Sequence, residues 1–141
     1  MSLYKTFKTD SNLETQGIYL EYGFVDDDAT RPIRILISRA GGSNARFAKL
    51  LEAKTKAHRR AIQTETLDSK LADRLFKEVY AEAIVLGWMN VQDAEGKDME
   101  FTRDNVVKLF DDLPDLWADL REQSNKASLF RMETLEKDSG N

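Results

Sequence analysis

Two segments near the start of the chain alternate with a period of two, and they constrain the fold more than any other feature. In "GIYLEYGFV" (17–25), Ile18, Leu20 and Tyr22 share one side, with Tyr19 and Glu21 opposite. In "IRILISRA" (33–40), Ile33, Ile35 and Ile37 share one side, with Arg34, Leu36 and Ser38 opposite. This is the pattern of strands with one buried face. The segment between them, "DDDATRP" (26–32), has the acids and proline of a turn. A two-stranded hairpin is marginal in water, so its apolar face has to be covered by the rest of the chain.

The rest of the chain is patterned mainly as helix. "AGGSN" (40–44) breaks the second strand, and Ser43 or Asn44 is placed to cap a helix running from Arg46 to about Thr64. That helix has only a thin apolar stripe of Phe47, Leu50, Leu51 and Ile62, so it either protrudes or lies against a partner. Asp68 then caps a second helix. Leu71, Leu75, Val79, Ala83 and Leu86 form its stripe, and Gly87 closes it. "YAEAIVLGW" is apolar on most sides, which marks this helix as the central one and places Leu75 and Trp88 in the core. Met89–Val91 and Met99–Phe101 flank a turn around Gly96, as a small hairpin or structured loop. Thr102 caps a helix over 103–112 with Val106, Val107 and Phe110 inward. Pro114 starts a last helix that carries Leu116, Trp117 and Leu120 and runs to about Phe130. The fold class is therefore α+β and mostly helical: an N-terminal β-hairpin, then four or so helices, with a short β-hairpin or loop near 89–101. The 141 residues form a single domain, with 1–12 and 132–141 flexible.

Composition narrows the chemistry. There is no cysteine, which removes disulfides and thiolate sites, and one histidine, His58, which removes a His-rich metal site. His58 lies among cations in "KAHRRA" without a nearby carboxylate to orient it, and reads as a surface residue. No apolar run is long enough to span a membrane, and the first residues lack the apolar core of a signal peptide, so a cytoplasmic setting is expected. The net charge is −4 but uneven: residues 31–60 hold nine Arg/Lys against Glu52 alone, and residues 91–141 hold thirteen Asp/Glu against seven Lys/Arg. Such polarity suits head-to-tail self-association or docking on an oppositely charged partner.

Four stretches invite a chemical reading. "VQDAEGKDMEFT" (91–102) resembles a calcium loop, but setting Gly96 at loop position 6 puts Val91 at position 1 and Thr102 at position 12, and the register fails. "RAGGSN" (39–44) lacks the spacing of a phosphate-binding loop and reads as a strand-to-helix turn. Asp111, Asp112, Asp115 and Asp119 sit around a helix start, where carboxylates serve as capping charge. The basic helix holding Arg46, Lys49, Lys56, Arg59 and Arg60 has only Phe47 as an aromatic, so it reads as a protein-binding face rather than a nucleic-acid one. No nucleophile, base and oxyanion donor converge. The chain reads as a non-enzyme without a cofactor.

One resemblance spans about Leu13 to Phe130. "GW-x-x-V-x-D-x-x-G-K" (87–97), "F-T-x-x-N" (101–105) and "L-P-D-L" (113–116) follow one another in this order. With this pattern the chain resembles the small tail assembly chaperones of long-tailed bacteriophages. The resemblance implies a non-enzymatic, oligomeric protein of the host cytoplasm that is absent from the finished virion. It implies binding to the tape measure protein, whose hydrophobic helices such chaperones keep soluble, and recruitment of tail tube protein. The other reading is a virion structural or head–tail adaptor protein, which would carry more β-structure.

Overall fold

Antiparallel pairing joins the two alternating segments as predicted, and a third strand lies beside them. In the computed structural model, which describes residues 2–131, strand β1 spans Ile18–Phe24 and β2 spans Pro32–Ile37. Their register sets Ile18 opposite Ile37 and Leu20 opposite Ile35, so the predicted apolar faces coincide. The turn between them is held by Asp28, whose carboxylate accepts from the Thr30 N–H at 2.9 Å and hydroxyl at 2.7 Å. Strand β3, Val85–Met89, pairs on the other side of β2, with Ile35 opposite Trp88. The order is β1-β2-β3. As the central strand, β2 holds Ile35 and Ile37 out of solvent.

The third strand corrects the predicted course of the central helix. Helix α5 occupies Ser69–Val79, capped by Asp68 as expected. Beyond it, Tyr80–Ile84 forms one wider turn, in which the Val85 N–H reaches the Tyr80 carbonyl five residues back. The chain then leaves as β3. Gly87 is therefore a strand residue and not a helix stop. Ala83 and Ile84 are buried because this turn sits over the sheet, not because a long helix continues.

The other elements keep the predicted order with shifted limits. Residues 2–16, where no element was expected, form two short helices, α1 (Leu3–Phe7) and α2 (Ser11–Gln16), with Ser2 and Asp10 as caps. The tail 132–141 lies outside the described residues. The basic helix divides into α3 (Ala45–Lys56) and α4 (Arg59–Gln63). Asn44 takes the cap position of α3 but makes no capping bond. Its amide donates instead to the Ser38 hydroxyl and the Arg39 carbonyl. Helix α6 (Arg103–Asp112) is capped by Thr102, and α7 starts at Pro114 but stops at Ser124. A separate short turn carries Phe130 into the core. The described residues are α+β and 55% helical, in agreement with the sequence.

The core lies between the sheet and α6–α7. Phe110, Leu120, Val106 and Ile84 are fully enclosed. Trp117 stacks at a tilt on Phe110, centroids 4.7 Å apart, and meets the edge of Tyr80 at 4.9 Å. Leu75 and Trp88, expected to be deeply buried, are half-buried. Trp88 donates its indole N–H to the Met99 carbonyl at 3.0 Å and packs edge-on against Phe101. Because part of this ring stays in water, Trp88→Ala should lower unfolding free energy by only about 2 kcal/mol. Chemical denaturation followed by circular dichroism measures this.

Candidate functional site

The cations of the basic segment are sorted by helix periodicity. Lys54 points toward α5, where it lies 3.4 Å from both Glu78 and Glu82. Glu78 also accepts from Arg74 at 3.0 Å, and Glu82 from Arg103 at 2.7 Å. The Arg74 bond, helped by Lys54 against the opposing effect of burial, holds the Glu78 carboxyl below its ordinary range. Arg46 donates to the Glu82 backbone carbonyl at 2.8 Å. Lys49 and Lys56, seven residues apart, fall on another face of α3. With Arg59 and Arg60 on α4, they are exposed and form no ion pair among the described residues. All five predicted partner-binding residues are thus exposed, and Arg46 is in addition tied to the turn after α5.

The same helices build a feature that the sequence does not show. Helix α3 packs on α5, and α4 folds across their ends, leaving an apolar groove of about 410 Å³. Leu51, Ala61, Ile62, Leu67, Leu75 and Phe76 line it, with Thr55 and Glu65 as its polar contributions. Ile62 is 42% exposed and Phe76 45% exposed, and no residue of α3 or α4 is fully buried. A second cavity of about 390 Å³ opens between the hairpin turn and the α6–α7 corner, lined by Phe24, Ile33, Leu109 and Leu113 among others. Among the described residues only Asp26 brings charge to it, so it offers neither an acid–base pair nor a site for an anion.

The remaining candidate chemistry is used structurally. In the loop 91–102, the Asp93 side chain accepts from the N–H groups of Glu95 and Lys97, both at 2.9 Å, and Gly96 takes φ of +80°. Asp98 pairs with Arg31 at 3.0 Å. This is a side-chain-closed turn rather than a calcium loop. The acids 111–119 diverge, and only Asp115 has the predicted place in the first turn of a helix. Asp111 and Asp112 instead end α6, where negative charge opposes the helix dipole. Lys77 offsets the first at 2.8 Å and Lys108 the second at 2.7 Å. Asp119 accepts from the Tyr22 hydroxyl at 2.7 Å. Burial first, and this carboxylate second, push the phenol well above its usual range. His58 is half-buried at the start of α4, with no side-chain cap bond. Among the described residues no group of three or more His, Asp or Glu is placed to hold a metal ion.

The Gly-rich loop does cradle an anion, but an internal one. Glu14 of α2 is buried against it. It accepts from Arg39 Nη1 at 2.7 Å, from the Ser43 hydroxyl at 3.0 Å and N–H at 3.3 Å, and from the Thr9 hydroxyl at 3.1 Å. Gly42, at φ +57°, passes so close that a Cβ there would overlap the Glu14 carboxylate. The loop is therefore filled by the chain itself.

The basic helices and the groove fall within the stretch that compares with known proteins. The model of a family described as YdaY prophage protein matches residues 42–141, from this Gly-rich loop through α7 and beyond. No curated protein and no solved structure matches the chain.

Proposed function

The chain belongs to the YdaY prophage protein family, and on that premise we propose that this phage-derived protein is a tail assembly chaperone. It binds the tape measure protein and assists the addition of tail tube protein around it. It acts in the host cytoplasm, without a cofactor, and leaves before the virion is complete. The observation that carries this reading is the open apolar groove, built in part by helices α3 and α4, which also carry four exposed cations that form no ion pair among the described residues, within the stretch that the family shares. A chaperone for a long hydrophobic helical client needs an apolar surface that stays exposed in the free protein, and charge that keeps it soluble. The described residues carry one three-stranded sheet, less β-structure than expected of a tube or head–tail adaptor component.

Co-expression with the tape measure gene of the same phage tests the reading. The tape measure protein should become soluble and co-purify with this chain. If it stays insoluble and unbound, the chaperone reading fails. Stoichiometric recovery from purified particles would instead assign the chain to the virion structure. A second test uses Lys49, Lys56, Arg59 and Arg60 reversed together to Glu. Because these side chains make no ion pair among the described residues, the fold should lose no more than about 0.5 kcal/mol per site. Client capture should fall by about tenfold or more. Unchanged capture would sink the role assigned to these cations.

A further inference from the structure

We propose that the groove between α3–α4 and α5 is a helix-binding cleft whose preferred occupant is an amphipathic helix with acidic flanks. This deepens the chaperone reading and rests on it, in that it names the chemistry of the client segment.

The shape of the site selects a helix. Its walls are mainly helices, whose interior backbone groups pair along the helix, and its lining is aliphatic and aromatic apart from Thr55 and Glu65. The Thr55 hydroxyl is engaged by the Leu51 carbonyl at 2.8 Å. An extended segment entering here would meet no free sheet edge to pair its own N–H and C=O groups, whereas a helix brings its backbone satisfied. A helix presents apolar side chains at i, i+3, i+4 and i+7, which matches a groove running past Leu51, Ile62, Leu75 and Phe76.

The charge selects the flanks. Residues 45–76, which build the cleft, carry eight Lys/Arg against four Asp/Glu. Lys56, Arg59 and Arg60 of α3–α4, and Lys70 of α5, are exposed and form no ion pair among the described residues. Of the four acids, Asp68 is engaged in capping α5 and Asp73 is paired with Lys77 at 2.6 Å, which leaves Glu52 and, in the groove lining, Glu65 against these four cations. An acidic helix meets this rim favourably, and a basic one meets like charge. The same reasoning excludes the chain's own exposed apolar helix as occupant. Helix α1 shows Leu3, Tyr4 and Phe7 to solvent, but it carries Lys5 and Lys8 and no acid.

Two fluorescently labelled peptides of about 18 residues test this, each about five turns of helix. Both carry Leu and Phe at i, i+3, i+4 and i+7. One has Glu on its flanks and the other has Lys. Fluorescence anisotropy with the full chain should show the Glu peptide binding at least about tenfold more tightly, with the preference shrinking at high salt. K56E/R59E/R60E should reverse the order. I62D and F76D alter exposed side chains and should leave the fold intact, yet each should abolish binding of the Glu peptide. Equal binding of both peptides, binding that survives both I62D and F76D, or no binding at about 100 µM overturns the proposal. So does sedimentation showing that wild-type chains associate through this groove and that the Glu peptide dissociates them, since a second copy would then be the occupant. The two readings separate cleanly. If the tape measure protein still co-purifies with I62D and F76D, the chaperone reading stands and the groove assignment falls. If the Glu peptide binds but no tape measure protein is captured, the groove stands and the chaperone reading falls.

Discussion

Phe110→Ala is expected to lower unfolding free energy by about 3–5 kcal/mol, the largest loss of any single truncation in this chain. The ring is fully enclosed at the point where α6 turns its apolar face toward the sheet and α7 folds back over it. One face is covered by Trp117 at 4.7 Å between centroids, and Trp117 in turn meets Tyr80 at 4.9 Å. Removing the ring therefore leaves a void among rigid aromatic groups that collapse poorly, and the cavity adds to the lost transfer energy. In a domain of ordinary stability, about 5–15 kcal/mol, this is a large share of the total. The melting temperature should fall by about 10–15 °C. Near-ultraviolet circular dichroism should weaken as Trp117 loses its neighbour. Phe110→Leu, which refills most of the space, should lose less than about half as much. A loss below about 1 kcal/mol for Phe110→Ala would mean that the aromatic cluster is not the centre of the core.

The parts of this fold that were legible in the sequence are those where a local period decides the structure. The β1–β2 hairpin follows from the alternation of Ile18, Leu20, Ile35 and Ile37. The starts of α5, α6 and α7 follow from Asp68, Thr102 and Pro114. Strand β3 was not legible, because "YAEAIVLGW" is a continuous apolar run, and such a run satisfies a buried helix and a buried strand alike. What decides it is the free edge of β2, which takes Val85–Met89 as a partner, and no residue within the run announces that edge. Gly87, the one punctuating residue, misled for the same reason. It looks like a helix stop, yet it lies in a strand where a Cβ would meet nothing within 4 Å.

The candidate site divides in the same way. The cations Lys49, Lys56, Arg59 and Arg60 were legible as a group because their charge is local. Their separation from Lys54 and Arg46 needed the acids of α5 and the turn after it, which lie more than twenty residues away. The groove was invisible, since it exists only where Leu51 and Ile62 of one helical segment face Leu75 and Phe76 of another. Read separately, those residues gave one helix with a thin stripe and one with a wide stripe. The unfilled space between the two stripes is what makes this surface a candidate for docking.

Glu14→Gln is expected to remove about 2–3 kcal/mol at pH 7, although Glu14 lies in a segment whose sequence reads as polar and carries no motif. Its side chain is only 3% exposed and faces Arg39 at 2.7 Å. The substitution keeps the shape but takes the negative charge from a site built for it, leaving Arg39 largely buried without a counter-charge. Burial by itself raises the Glu14 pKa, but the bonds from Arg39, Ser43 and Thr9 together outweigh it and hold the carboxyl below the ordinary glutamate range. The folded-state pKa is thus lower than the unfolded-state one. The stabilisation is complete above the unfolded pKa and disappears as the pH falls through the folded one. Urea denaturation of the wild-type and E14Q proteins across this range should therefore show their difference widest near neutrality and narrowing steadily on acidification below about pH 4.5. If the gap between the two proteins were instead constant with pH, the ionised carboxylate would not be the stabilising species. Gly42→Ala supplies the complementary test. Its methyl group would displace Glu14 from the loop, and at φ +57° the alanine backbone adds strain of its own. It should reproduce the loss at neutral pH while leaving a carboxylate that titrates near its ordinary value.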